Sequence, residues 1–530
     1  MIHSYFAAMN TTEQIRGKIL WADDEIDLLR SHVMFLEGKG FQVTTVTNGD
    51  DAIALCQNDR FDIVLLDETM PGKDGLETLS ILKTEQPALP IIMITKNEEE
   101  KLMEEAIGSK ISDYLTKPVN PSQILLAIIK ILENRQIKQD AVSGQYMSAF
   151  ANLAFNIENS PSPEEWINIH DQLSAWELEL DDYPDLGFDE MLLQQQHEAN
   201  DRFTRFIKSN YENWVNVSAD KRPTLSPDVF STAVKPLLEN DKKVLMLIID
   251  CMRWDQWLTL EPLLYNDYQI KRDGYFSLLP TTTEYSRNAI FSGLFPDDMQ
   301  RFHPEWWGGS DEHSLNRYES AFLQENIRRS GLELKPEAKY KKIISNRDGI
   351  QFSKQFGSWG SQKLVTLVVN QVDLLAHRRT DSPILRELLP NEASYREIVR
   401  AWFNNSWIKE VLSSAAKMGF HVVITSDHGS VRVQQPTQIL ADREASTNLR
   451  FKQGRNLKPS AKDAWFLDKP GRLRIPSTIQ NDTLAIAQKT YYFLYPNNYR
   501  KYQNKYTDTY QHGGLSMWEM ILPLAYLEPK

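Results

Sequence analysis

Four apolar runs between residues 227 and 530 end in side chains able to hold a metal ion. KKVLMLIID ends at Asp250, KLVTLVVNQVDLLAH carries Asp373 and His377, HVVITSDHG carries Asp427 and His428, and YQHGGLSMWE carries His512 ahead of a further apolar run. Such runs read as buried strands of an α/β sheet, and ligands gather at the carboxyl ends of those strands. Clustering there would bring three aspartates and three histidines to one edge. Carboxylates and neutral imidazoles without thiolate are the donor set of two closely spaced divalent ions, Zn²⁺ first and Mn²⁺ second. Asp427 and His428 are adjacent at a strand end, so their side chains point different ways and form a fork around an ion. The stretch LLPTTTEYSRNAIFSGLFP, Leu278 to Pro296, sets three threonines before a run of helical period. The last hydroxyl, Thr283, is predicted at a helix N-terminus, where orphan N–H groups favour anions, and as a metal-held alkoxide it is a competent nucleophile.

A second constellation lies near the start. The runs KILWADD, FQVTTVT, FDIVLLDETM, LPIIMIT and ISDYLTKP alternate with segments of helical period. That alternation predicts a doubly wound parallel sheet. Its strand ends carry Asp23 and Asp24, Asp67, Thr95 and Lys117. Three converging carboxylates repel one another unless a hard cation sits among them, and an all-oxygen site favours Mg²⁺. The free oxygen of Asp67 could then attack a phosphoryl group, with Lys117 and Thr95 stabilising its oxygens.

The elements that must position these residues divide the chain. At 530 residues it is too long for one core. We read residues 1–16 as a disordered tail, 17–135 as the first α/β domain, 136–226 as a helical bundle and linker, and 227–530 as a larger α/β domain. The bundle rests on helical spacing in MSAFANLAFNIE, PEEWINIHDQLSAWELEL and FDEMLLQQQHEANDRFTRFIKSNYENWV, with Pro161, Pro163 and Pro184 as breaks. VSADKRPTLSPD, Val217 to Asp228, has the composition of a linker. The net charge of −13 argues against a chain whose main task is coating duplex DNA. Cys56 and Cys251 sit far apart in apolar patterns, as packed thiols do in a reducing compartment. No run approaches a membrane span, so the chain is read as cytoplasmic without membrane insertion. Trp306 and Trp307 offer a stacking platform for bases or local packing. The basic stretch REASTNLRFKQGRNLKPSAK, Arg443 to Lys462, reads equally as a solvated loop or a track for a phosphate backbone.

ILWADDE, LLDETMPGKDG, MIT and YLTKP closely resemble the motifs of a two-component receiver domain. The resemblance implies that Asp67 is the phospho-acceptor, that Asp23 and Asp24 bind Mg²⁺, that Thr95 and Tyr114 are the switch pair, and that the Lys117–Pro118 bond is cis. Lys96 departs from the small residue usual at its position. The larger domain resembles the alkaline phosphatase superfamily and, within it, the PglZ-like domain. That implies one metal on Asp250, Thr283, Asp427 and His428 and another on Asp373, His377 and His512. Nucleotide-cleaving relatives have an Asn three residues past the nucleophile; here Ser286 is followed by Arg287 and Asn288, leaving three candidates to bind the phosphoryl oxygen. Receiver, bundle and PglZ-like domain in this order resemble the PorX type of response regulator. Implied are phosphorylation by a PorY-like sensor histidine kinase, homodimers on phosphorylation, a zinc-dependent phosphodiesterase acting on cyclic or linear oligonucleotides, secretion-motor and sigma-factor partners, and control of type IX secretion and gliding. Two other outputs stay open: a phospho-regulated transcription factor, and a scaffold whose metal-binding domain is not catalytic.

Overall fold

The computed structural model describes residues 16–95, 111–159, 161–307, 316–441, 446, 448–477 and 481–530. The tail expected over residues 1–16 and Lys96 thus fall almost wholly outside the described residues. The chain forms two compact units, residues 1–148 and 149–530.

In the first unit, β1 (Gly17–Ala22), β2 (Phe41–Val46), β3 (Ile63–Asp67), β4 (Ile91–Thr95) and β5 (Asp113–Thr116) form one sheet in the order β2-β1-β3-β4-β5, every pair parallel. The two-residue period of a strand sorts the side chains. Leu20, Ala22, Val64 and Leu66 pack on one face with Ala52, Ile53, Leu79 and Leu82, while Ile19, Trp21, Ile63, Leu65, Ile92 and Ile94 pack on the other with Leu36, Ile124 and Ile128. Gly75, which opens the helix Gly75–Glu85, sits so close to the sheet that a Cβ there would lie 2.3 Å from the Asp67 carbonyl oxygen. The helix after β5, Pro121–Glu158, passes residue 135 unbroken, because ILENRQIKQDAV contains neither Gly nor Pro to stop it.

The second unit is built on a six-stranded sheet. Its strands are β6 (Lys243–Ile249), β7 (Tyr268–Phe276), β8 (Lys339–Ile343), β9 (Leu364–Val369) and β10 (Phe420–Thr425), joined by β19 (Ile521–Pro529), in the order β7-β19-β10-β6-β9-β8. β8, β9, β6 and β10 run parallel, so their carboxyl ends meet at one edge, and β19 runs against β10 and β7. Beyond β10 lie small sheets. β11 (Val431–Val433) pairs with β18 (Thr509–Gln511), β12 (Gln435–Leu440) with β14 (Lys458–Pro459) and β17 (Tyr491–Leu494), and β16 (Thr483–Ala487) with β13 (Phe451–Gly454) and β15 (Ala464–Leu467). Asp373 and His377 lie one turn apart on the helix Gln371–Asp381 rather than on β9, and His512 follows β18 rather than a strand of the main sheet.

The helices Pro163–Asp181 and Asp189–Asn216 belong to this unit. Ser162 and Glu165 close a capping box at the start of the first. The Arg396 guanidinium lies 2.6 Å from Glu177, 2.6 Å from Asp181 and 3.2 Å from Asp255, and Asp255 in turn pairs with Arg253 at 2.6 Å. The segment Val217 to Asp228 is no free linker: Leu225 and Ser226 are fully buried and Arg222 pairs with Asp228 at 2.8 Å. The basic stretch is also partly internal, since Arg450 is fully buried 2.6 Å from Glu519 and Lys452 is buried with Nζ on the Ser446 carbonyl at 2.7 Å. Those two side chains offer nothing to a phosphate backbone. Arg455, Lys458 and Lys462 of the same stretch remain exposed.

His170, buried against Trp254 with ring centroids 6.0 Å apart, is pushed down to about 4 by burial. The folded chain therefore binds this proton more weakly than the unfolded chain, and the stability from neutral His170 is complete above pH 6.5 and lost as the pH falls toward 4. The loss is on the order of 3 kcal/mol. We expect denaturant midpoints to fall less between pH 7 and pH 4 in His170→Leu than in the parent chain; equal falls would contradict this assignment.

Candidate functional site

In the first unit the strand ends meet as their sequence requires. The carboxylates of Asp23, Asp24 and Asp67 approach within 4.8 Å of one another. Lys117 Nζ lies 2.6 Å from Asp67 Oδ1 and 3.1 Å from Asp23 Oδ2. Burial raises the Asp67 carboxyl and the bond to Lys117 opposes it, while Asp23 and Asp24 raise it further. Burial also acts to lower Lys117, but its bonds to Asp67 and Asp23 prevail and hold it protonated. One ammonium thus faces three carboxylates, an excess that a hard divalent ion such as Mg²⁺ matches in charge and donor type. The Lys117–Pro118 bond is cis. Tyr114 is exposed on β5. The Thr95 hydroxyl donates to Glu68 Oε2 at 2.5 Å. Glu68 was missed from sequence, although the adjacent acids of LLDETM were the signal.

In the second unit an inner cluster forms from Asp250 after β6, Asp427 and His428 after β10, and Thr283 as first residue of the helix Thr283–Ser292. Thr283 Oγ1 lies 3.0 Å from His428 Nε2, which lies 3.7 Å from Asp250 Oδ1 and 3.8 Å from Asp427 Oδ2. Both aspartates are held by the protein, and Asp250 alone keeps one oxygen without a donor. Asp427 Oδ1 accepts from the N–H groups of Cys251 at 3.3 Å and His428 at 3.1 Å. Cys251 reaches that position with φ +65°, a left-handed conformation costly for a side-chain-bearing residue. Asp250 Oδ2 accepts from Arg287 Nη1 at 2.5 Å, and its Oδ1 is buried without a hydrogen-bond donor. His428 Nδ1 donates to the Gly429 carbonyl at 3.1 Å, so Nε2 is the atom turned toward Thr283; burial acts to lower His428, but Asp427, Asp250 and Asp373 prevail and raise it.

The outer cluster joins it directly, because the His428 and His512 rings stack 4.2 Å apart. His377 Nε2 and His512 Nε2 lie 3.3 Å from each other and 3.3 and 3.7 Å from Asp373 Oδ1. Asp250, Asp427 and His428 are fully buried and Thr283 half-buried, whereas His377 is exposed and Asp373 and His512 are half-buried. Burial pushes Asp250 up to about 7, with Arg287 opposing and Asp427 and Asp373 adding to it. Burial acts to raise Asp373 too, but His377, His512 and His428 hold it below the usual carboxylate range. Burial and His428 push His512 well below its ordinary value, so its ring is neutral. Burial and the charges of Asp373 and Asp250 keep the Cys251 thiol protonated. An inward carboxylate oxygen without a donor, three imidazoles and no thiolate together fit two divalent ions of the zinc type.

The residues expected around the substrate are placed otherwise. Ser286 is fully buried with its hydroxyl 2.7 Å from that of Ser277. Asn288 is buried and donates to the Glu284 carbonyl at 3.0 Å. Arg287 is buried between Asp250 and Glu319, with Nε 2.6 Å from Glu319, and is an internal counter-ion rather than an open phosphate clamp. Its position one turn past Thr283 was the available signal. Trp307 is buried against Tyr285, and Trp306 stacks on His303 at 4.5 Å, so both pack locally instead of forming a platform.

Comparison with known proteins agrees with this geometry. The model of the BREX system PglZ alkaline phosphatase-like domain matches residues 229–527. The chain belongs to the PglZ family. Residues 19–129 match the response regulator receiver domain and residues 136–215 the PorX response regulator linker domain, so receiver, linker and PglZ domain stand in PorX-type order. The receiver is 34% identical over 129 residues to the alginate biosynthesis transcriptional regulatory protein AlgB of Pseudomonas aeruginosa, which covers 24% of this chain and 29% of that protein. It is 36% identical over 115 residues to the transcriptional regulatory protein ResD of Bacillus subtilis, covering 22% and 48%. The chain thus spans under half the length of these relatives. The receiver domain of NtrX from Brucella abortus is 29% identical, with 22% of this chain and 98% of that one covered and a TM-score of 0.21. The two metal-type clusters both lie inside the PglZ match. No helix among the described residues is long and apolar enough to cross a membrane.

For the receiver, acetyl phosphate with Mg²⁺ should phosphorylate the chain on one residue, and Asp67→Asn should abolish the product on phosphate-affinity gels. Undiminished phosphorylation of that variant would remove Asp67 as the acceptor.

Proposed function

We propose that this PorX-type regulator is a phosphodiesterase of oligonucleotides, linear or cyclic, whose receiver is phosphorylated on Asp67 by a PorY-like sensor histidine kinase. The observation that carries the reading is the Thr283 hydroxyl, 3.0 Å from His428 Nε2, half-exposed at a helix N-terminus beside two three-residue metal-type clusters. Asp250, Asp427 and His428 with Thr283 would hold one Zn²⁺ or Mn²⁺ ion, and Asp373, His377 and His512 another. Such ions supply Lewis-acid charge to phosphoryl oxygens and lower the pKa of a bound hydroxyl.

The chain's own residues do the rest. Thr283 gives up its hydroxyl proton to solvent and its Oγ forms a bond to phosphorus while the bond to the leaving alkoxide breaks, and the alkoxide takes a proton from solvent. Water then cleaves the phosphothreonine in the reverse sense and restores the hydroxyl. The helix N-terminus places partial positive charge on the phosphoryl oxygens. Asp427, held by two N–H groups, and Asp250, held by Arg287, keep the cluster's geometry fixed through both steps. The open rim at His377 leaves room for the second ester substituent that a diester carries.

Control of type IX secretion and gliding, with secretion-motor and sigma-factor partners, is the cellular role this reading implies. Phosphorylation would form homodimers through the face bearing Tyr114, by biasing the Thr95 and Tyr114 arrangement. Light scattering should then give a doubled mass with a phosphoryl mimic, and a mass unchanged across concentration would contradict the dimer.

Thr283→Ala should keep its metal content by elemental analysis and lose on the order of 10³-fold or more in cleavage of a chromogenic diester and short oligonucleotides. Asp427→Ala and His428→Ala should lose both metal and turnover. Full activity of Thr283→Ala would remove the nucleophile, and metal binding without turnover on any phosphate ester would favour the scaffold.

A further inference from the structure

The loops bearing Thr283 and His512 are not held by the sheet alone. Leu279 N–H, in the loop entering Thr283, donates to the Tyr211 hydroxyl at 2.8 Å. Met517 N–H, at the start of the short helix Met517–Met520 that follows the His512 loop, donates to Asn200 Oδ1 at 2.9 Å. Asn200 and Tyr211 lie three turns apart on the helix Asp189–Asn216, on one face of it, and both are almost fully buried. The two loops are also tied to each other: Thr281 Oγ1 donates to the Gly514 carbonyl at 2.9 Å and accepts from Gly513 N–H at 3.0 Å. Ser226, just past the same helix, accepts Leu278 N–H at 3.1 Å.

Each of these bonds satisfies a buried backbone N–H without a partner of its own, because the loop entering Thr283 is unpaired there and Met517 opens a helix, whose first N–H groups have no partner within it. The donors are consecutive residues leading to Thr283 and a residue five positions after His512, so the acceptors fix where each loop leaves the sheet. Since both acceptors ride on one rigid helix, they fix the loops relative to each other. That separation is the one between the nucleophile of the inner cluster and a donor of the outer.

We propose that the linker helix Asp189–Asn216 is a splint for the PglZ metal site, with Tyr211 and Asn200 as positioning residues that set the spacing of Thr283 and His512. This rests on the assignment of those two residues to the metal site. It makes the linker part of the catalytic machinery's support, and any displacement of that helix alters both half-sites together. Gln195 provides the comparison: it lies on the same helix, is equally buried, and donates to the Phe150 carbonyl at 2.9 Å, away from both loops.

The test titrates chelator-stripped full-length protein with Zn²⁺ by calorimetry and measures diester turnover in parallel. Tyr211→Phe, which removes a single oxygen, should weaken Zn²⁺ binding by about tenfold and lower kcat with little change in KM, as loss of a group orienting metal ligands does. Asn200→Ala should do the same, and Gln195→Ala should leave both unchanged even where it lowers the melting temperature. Zn²⁺ affinities of Tyr211→Phe within twofold of the parent's would overturn the splint, as would absence of Zn²⁺ binding by the parent. Should Asn200→Ala fail to fold, Tyr211→Phe decides alone. A parent chain that binds Zn²⁺ but cleaves no diester would remove the proposed function, while a tenfold affinity shift in Tyr211→Phe would still support the splint.

Discussion

Carboxylates driven together at the carboxyl ends of parallel strands repel one another, and burial makes each charge costlier still. Both units are arranged around that repulsion. In the receiver, Lys117 is shared between Asp67 and Asp23, yet it supplies a single charge among three acids. In the PglZ domain, Arg287 reaches Asp250 at 2.5 Å and Asp427 at 3.4 Å, and is itself braced by Glu319. Neither arrangement neutralises its cluster. The negative charge left over is where a divalent ion would gain most.

The two sites resolve the same difficulty with different donors. Around Asp67 the donor atoms are oxygens alone, which suits a hard ion retaining water. Around Asp427 imidazoles are interleaved with carboxylates, and backbone N–H groups fix one oxygen of Asp427 so that only the other turns inward. Holding oxygens and rings in this way orients the ligands before any ion arrives, so little reorganisation is left for binding.

Much of this was legible in the sequence, because a strand-end residue announces itself by ending an apolar run. Asp23, Asp67, Asp250 and Asp427 were found that way, and the structure brings each into a cluster. Asp373 and His377 were also found, though on the wrong element: the strand ends at Val369 and a helix carries them, since DLLAH reads equally as strand or helix when judged by apolar content. Other features depend on distant partners and leave no local trace. Arg287 resembles a phosphate ligand until Glu319 is seen beside it. Val217 to Asp228 has linker composition, yet Ser226 and the Arg222–Asp228 pair are consumed in packing. Arg450 sits in a basic stretch but answers Glu519, far along the chain. Composition records the charge of a residue and not its counter-charge.

The central claim is that the converging donors hold two divalent ions beside Thr283. Anomalous diffraction at the zinc edge, from crystals of the full-length chain grown with Zn²⁺, tests it most directly. The account predicts two peaks, one about 2 Å from donor atoms of Asp250, Asp427 and His428 and one about 2 Å from those of Asp373, His377 and His512. No peak at either cluster, with Arg287 alone balancing Asp250 and Asp427, would contradict it.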